Sequence, residues 1–349
     1  MRERIDSLDI FRGYMAFAVA VYHFSNWYRP FQEGCFPAYT IKKIGAYGVE
    51  GFFIISGFCF FYLYGAEVCR GRGLRNFFTK RFFRIAPLYY LAVAANLILG
   101  LRAGPEHSVR MVLENASLAF GLIHPNHSLV LGGWSIGLEY VFYLGFPFLA
   151  WGASRSRAFL PVTALALLAL SLPFSFVYVP GIADPDPKFH MYVQVANHAF
   201  LFLLGGLIAH ARLGSGFRLR TGPFLILAVL LTLAFTLKYR NFYDDWVIMA
   251  GWARYWFLAI CFAGVALFAF YAFPDSPLKT AGKFMGDVSY SVYLLHPLVY
   301  EGGRRWTPGS LGAWPHFLLG LGLTIGLSAL TYRFLEKPMM GVGRRLCRP

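Results

Sequence analysis

Eleven positions separate Arg12 from His23, and every residue between them is uncharged. On an α-helix this is about 16 Å of rise and about 1100° of rotation, within about 20° of three full turns. The two side chains therefore share a face, with a guanidinium at one end and an imidazole at the other. An imidazole can take a proton from a hydroxyl near neutral pH, and a guanidinium grips phosphate through paired N–H donors. The competing reading of His23 is a core histidine bonded to a backbone carbonyl. Arg81 and Arg84, in K-R-F-F-R-I-A-P at 80–87, lie three residues apart and so on one helix face. Anchoring with snorkelling to lipid headgroups explains such a pair equally well. Combined with Arg12, however, the pair could form a pocket for a polyphosphorylated ligand.

Other chemical groups sit in similarly apolar surroundings. Glu50 lies in G-V-E-G-F-F-I-I-S-G-F, where Gly48, Gly51 and Gly57 are accounted for by close helix packing. Glu139 lies in W-S-I-G-L-E-Y-V-F-Y-L, whose Trp134, Tyr140 and Tyr143 could form an interfacial belt that leaves the acid unexplained. Glu139, with Glu50 second, is the expected acidic partner that orients His23. In G-D-V-S-Y-S-V-Y-L-L-H-P, Gly286, Ser289, Tyr293 and His296 recur at spacings of 3, 4 and 3. That places a hydroxyl, a phenol and an imidazole on one helix face. Ser289, Tyr293 and His296, with Trp134, are the candidate lining of a substrate cavity, and interhelical hydrogen bonding is the alternative. His190, His198, His210 and His316 show no partner pattern and are expected at the surface.

The elements that must position these groups follow from composition. Of 349 residues, 57% are hydrophobic and only 14% charged, against roughly a quarter charged in an average soluble domain. Mean hydropathy is +0.52. These values exclude a disordered chain, a nucleic-acid-binding arm and a soluble multidomain enzyme. Apolar runs of about bilayer length predict an all-α polytopic protein with ten spans: 10–28, 44–64, 85–101, 134–151, 158–179, 192–209, 222–238, 252–273, 284–301 and 312–333. Placing the N-terminus inside assigns 21 of the 32 Lys and Arg to the inner side and 11 to the outer. The positive-inside rule therefore favours cytoplasmic N- and C-termini, and the excess of basic residues is not a nucleic-acid signal. The first span begins with Asp9 and Arg12 and lacks a small-residue cleavage site, so it is expected to stay in the membrane. The outer segment 102–133 holds His107, His124, His127 and two N-x-S sequons at Asn115 and Asn126, and its stretch 109–123 could lie along the interface or re-enter the membrane. Five scattered cysteines without a C-x-x-C pair argue against a disulfide framework and a zinc site, and no metal is expected.

Taken in order, S-L-D-I-F-R-G with His23, G-V-E-G-F-F-I-I-S-G-F, K-R-F-F-R-I-A-P, W-S-I-G-L-E-Y-V-F-Y, G-D-V-S-Y-S-V-Y-L-L-H-P and R-F-L-E-K-P resemble acyltransferase family 3, a family of integral membrane acyltransferases. The strings run from residue 5 to 340; none is specific alone, and together they are strong. The resemblance implies a ten-span enzyme of the inner (plasma) membrane that moves an acyl group, most often acetyl from acetyl-CoA, onto a hydroxyl of a carbohydrate. The acceptor it implies is a bacterial surface or exported polysaccharide, or its lipid-linked precursor. His23 maps to the proposed catalytic residue, Arg81 and Arg84 to donor binding, and Arg12 to the arginine of the first motif. Many members have Asp at the position of Glu50 and Arg at that of Lys80, departures that keep the charge. Some relatives add a hydrolase-like domain. This chain, ending about 16 residues after its last predicted span, is expected to be one membrane domain over 1–349.

The expected chemistry needs acyl-CoA as co-substrate, no tightly bound cofactor, and either direct transfer with His23 as base or an acyl-histidine intermediate. Two rivals remain at this level. A transporter or flippase of a polar glycan or lipid would show related halves with interrupted helices, which are not evident. A sensor or scaffold would tolerate Gln or Asn at position 23.

Overall fold

The computed structural model describes residues 5–32, 35–69, 73–100, 108–239, 244–306 and 311–347. Long helices follow the apolar segments: α1 Asp6–Tyr28, α2 Phe36–Leu63, α3 Leu74–Ile98, α4 Trp134–Arg155, α5 Phe159–Pro173, α6 Val195–Gly214, α7 Thr221–Leu237, α8 Gly251–Ala269, α9 Pro277–Trp306 and α10 Ala313–Thr331, then α11 Lys337–Leu346. No strand forms among the described residues; Leu219 and Tyr271 make an isolated bridge. Six helical stretches, those containing α2, α4, α5, α6, α8 and α10, are long and apolar enough to cross a membrane. The shorter α7 is apolar too. Helices α1, α3 and α9 are outside that set, and they carry Arg12 and His23, Arg81 and Arg84, and the polar stripe from Ser289 to His296. The residues that could do chemistry are the ones that dilute the hydropathy of their helices.

Helix α2 is central. It packs against α6, α1 and α8, while α1 lies along α9, α5 covers α6 and α10 covers α9. The apolar window of α2 is 72% buried, that of the stretch containing α10 only 17%. Outer helices instead present large apolar side chains outward, among them Leu165, Leu230 and Leu323 at 65%, 55% and 55% exposure. Such a surface is favourable in contact with lipid chains and costly in water, which makes this a multi-pass membrane protein.

Two helix crossings are set by glycine. A Cβ on Gly57 would come within 1.8 Å of the Phe202 carbonyl oxygen, and one on Gly205 within 1.9 Å of that of Ile54, so α2 and α6 meet backbone to backbone. A Cβ on Gly13 would lie 2.5 Å from the Gly286 nitrogen, and one on Gly286 2.3 Å from the Asp9 oxygen. The second crossing brings the start of α1 onto α9. Lys43, assigned from sequence to an outer loop, is fully buried and donates to the carbonyls of Phe235, Thr236 and Lys238. It thus caps the end of α7, where free carbonyls favour a cation.

The segment between α3 and α4 folds on itself. His107 falls outside the described residues, and the rest contains two short helices, Val109–Ala116 and Phe120–Ile123. Asn115, a sequon residue, is 1% exposed and bonded to Tyr89 of α3, so in the folded chain it is closed to modification.

Candidate functional site

The α1–α9 crossing assembles the first half of the site. Arg12 donates from Nε to Ser289 Oγ at 3.1 Å and from a terminal nitrogen to the Gly286 carbonyl at 2.9 Å, and it pairs with Asp9. Three turns on, His23 Nδ1 lies 2.8 Å from His296 Nε2 with the two rings nearly parallel. His296 Nδ1 faces the Val292 carbonyl oxygen at 3.0 Å. The helical registers of α1 and α9 therefore match at both ends: Arg12 meets Ser289, and His23 meets His296.

Between the helices lies a cavity with about 790 Å³ of empty space, part of it open to solvent. Arg12, Arg81, Arg84, Glu139, Ser289 and Tyr293 all line it, joined by Ser56, Ser135, Tyr143 and apolar side chains of α2. Three cations from two helices far apart in sequence thus face one space. Arg81 is held by the Tyr64 hydroxyl at 2.7 Å and stacks over the Phe60 and Tyr64 rings. Its Nε is buried and has no hydrogen-bond partner among the described residues, the state of a donor waiting for an acceptor. Arg84 is already paired, its guanidinium 3.0 Å from Glu336 Oε2.

Several sequence expectations are corrected here. Neither acid bonds to His23; that place is taken by His296. Glu139 accepts from Ser56 Oγ at 2.8 Å and stands in the cavity with the arginines. Glu50 is 1% exposed and accepts from the Tyr192 hydroxyl rather than from an outer histidine. It lies six residues from Ser56, about 120° away around α2, and belongs to a separate buried network. In that network Arg254, which falls within the predicted span 252–273, donates to Ser175 and Asn197 and stands over the Tyr192 ring. Trp134 does not line the cavity. It packs against Phe53, Tyr192 and His198, while Ser135, about 100° further round the helix, faces the space instead. His198, expected at the surface, is fully buried and bonded to the Tyr192 carbonyl.

His23 and His296 lie just beyond the cavity lining, and Tyr293 joins the two regions. Its ring lines the cavity and stands edge-on to His296 with centroids 6.1 Å apart, while its hydroxyl donates to the Gly132 carbonyl and bonds Ser135. Glu336 was quoted from sequence only as part of a terminal motif. It sits on a π-helical turn, Tyr332–Glu336, that widens the helix and aims the acid inward at Arg84 and Ser291. The sequence signal for it was an acidic residue just after the last apolar run. Away from the cavity, among the described residues, Glu114, His124 and His127 have the geometry of a metal-ligand group.

The arrangement can hold an anionic ligand on guanidinium groups and move a proton at an imidazole about 16 Å away along α1. The chain is 25% identical over 97% of its length to the peptidoglycan O-acetyltransferase OatA of Listeria monocytogenes, covering 56% of that protein. It is 26% identical over 98% of its length to the putative peptidoglycan O-acetyltransferase YrhL of Bacillus subtilis, again covering 56%. With the exopolysaccharide production protein ExoZ of Rhizobium meliloti it shares 28% identity over 86% of this chain and 91% of the relative. The chain thus spans little more than half the length of the first two. No solved structure matches. The sequence profile of the family described as an acyltransferase domain matches residues 5–333, nearly the whole chain, and the protein belongs to that acyltransferase family.

Proposed function

We propose that the protein is a ten-span O-acyltransferase of the plasma membrane with both termini cytoplasmic. It transfers an acyl group, acetyl in the first instance, from acyl-CoA to a hydroxyl of an exported or surface polysaccharide or its lipid-linked precursor. The observation that carries this reading is the convergence of Arg12, Arg81 and Arg84 on one cavity whose wall, Tyr293, abuts the His23–His296 pair. The relatives, two named as peptidoglycan O-acetyltransferases, one of them putative, and an exopolysaccharide production protein, suggest the acetyl group and the class of acceptor.

In this reading the arginines hold the phosphates of CoA at the inner mouth by charge-assisted hydrogen bonds. Arg81 contributes the buried Nε that has no hydrogen-bond partner among the described residues. The uncharged arm then extends past Tyr293 towards the histidine pair. His23 takes the proton from the acceptor hydroxyl as its oxygen attacks the thioester carbonyl carbon. The C–S bond breaks, and the proton passes from His23 to the departing sulfur, leaving an ester and a free CoA thiol.

The His23→Ala variant, present in membranes at the normal level, is expected to yield no acetylated glycan by mass spectrometry of the cell surface. Undiminished acetylation would refute the assignment. Arg81→Ala should chiefly raise the apparent KM for acyl-CoA, and an effect confined to the acceptor would contradict a donor site.

A further inference from the structure

The outer segment carries a group of side chains that the transfer reaction does not use. Glu114 comes from the short helix Val109–Ala116, and His124 and His127 from the turn closed by the His127 N–H donating to the His124 carbonyl at 2.9 Å. His124 Nδ1 lies 3.1 Å from one Glu114 oxygen and His127 Nδ1 3.7 Å from the other. One ligand atom from each of the three residues falls within 4.8 Å of the others. Zinc bonds of about 2.0–2.1 Å in tetrahedral geometry place ligand atoms about 3.3 Å apart, so both nitrogens are within reach, and the two rings, stacked with centroids 4.5 Å apart, would turn about their side-chain bonds to converge on one ion.

We propose that Glu114, His124 and His127 form a site for a divalent transition metal of the zinc class, with a fourth position open to water. Two imidazoles and one carboxylate are a borderline-soft donor set suited to zinc and poorly suited to magnesium or calcium. The frame is already fixed without the ion. Asn115 donates to the carbonyls of Met111 and His127 and accepts from Leu129 N and the buried Tyr89 hydroxyl, which locks the helix to the turn. The place of the cation is occupied by Arg110, whose Nε lies 2.8 Å from Glu114 and whose terminal nitrogen approaches the His124 ring at 3.3 Å. His124 Nδ1 donates to the Glu114 carboxylate while its Nε2 accepts from Arg110, so an ion at Nδ1 would take the place of that proton. Arg110 is 67% exposed and can swing into solvent when a metal arrives. A bound ion would pin this turn just before Gly132, whose carbonyl holds Tyr293 of the cavity.

The test uses the full chain in detergent, purified on a tag without histidine and stripped with EDTA. Titration with zinc chloride is expected to give about one equivalent. Affinity should fall at least about tenfold in His124→Ala, His127→Ala and Glu114→Gln, and should rise in Arg110→Ala, which loses the competing cation. Visible d–d bands of tetrahedral Co²⁺ bound to the unaltered chain supply a reading that does not depend on variants folding. Background zinc in the unaltered chain, absence of those bands, or equal binding by a folded His124→Ala/His127→Ala double variant would overturn the site.

Discussion

At the scale of single residues, the histidine pair has a direction. A carbonyl oxygen only accepts, so His296 Nδ1, facing the Val292 carbonyl, carries the proton. In a neutral ring its Nε2 is then an acceptor, and His23 Nδ1 must be the donor across the 2.8 Å contact. This leaves the lone pair of His23 on Nε2, the nitrogen available as base. His296 is thus a positioning residue: it selects the tautomer of His23 and lets charge develop on it when the proton arrives, the part an acid was expected to play. Replacing it with Ala should lower kcat by about 10²- to 10⁴-fold, the usual worth of an aligned general base, with little change in the KM for acyl-CoA. Gln, which keeps an acceptor, should recover part of the loss. Steady-state kinetics on both variants in membranes separates this role from packing, because a packing defect would not be rescued by Gln in kcat alone.

At the scale of elements, the crossing of α1 and α9 decides whether these residues meet. Gly13 and Gly286 let the two backbones approach so closely that a Cβ at either would collide with main chain. Valine at position 13 must push α1 away from α9, at a cost of about 1–3 kcal/mol for overpacking. It should also separate Arg12 from Ser289 and His23 from His296, so that activity falls further than stability does. A thermal melt compared with transfer rate checks this, and a variant that melts normally and transfers at the usual rate would show that the crossing does not position the site. The sequence made much of this legible, since the periodicity of α1 and α9 put Arg12 with His23 and Ser289 with His296 on single faces. It could not show which helices face each other, and for that reason the partner of His23 was sought among acids on α2 and α4. Contacts such as Arg84 with Glu336, 252 residues apart, carry no periodic signal at all. The roles of Arg254 and Lys43 were not legible because burial through hydrogen bonds to distant carbonyls and amides leaves no local pattern.

At the scale of the molecule, the reading depends on which side of the membrane the arginines face, because acyl-CoA is a cytoplasmic metabolite and its phosphates do not cross a bilayer unaided. If the N-terminus is inside, the turn between α8 and α9 is inside with it, and the segment between α5 and α6 is outside. Asp275 occupies that turn with its side chain 98% exposed, and Asp186 is exposed in the other segment. With the five native cysteines replaced, single cysteines at these positions report the two sides independently. A membrane-impermeant maleimide added to intact cells should label Asp186→Cys at once, and Asp275→Cys only after permeabilisation. The opposite pattern would place Arg12, Arg81 and Arg84 towards the outside, where no acyl-CoA is present, and the donor role of the cavity would fail with it. The expected pattern would also put Glu114, His124 and His127 on the outer face, so a single labelling experiment tests the sidedness on which both the donor site and the exposure of the metal site to external ions rest.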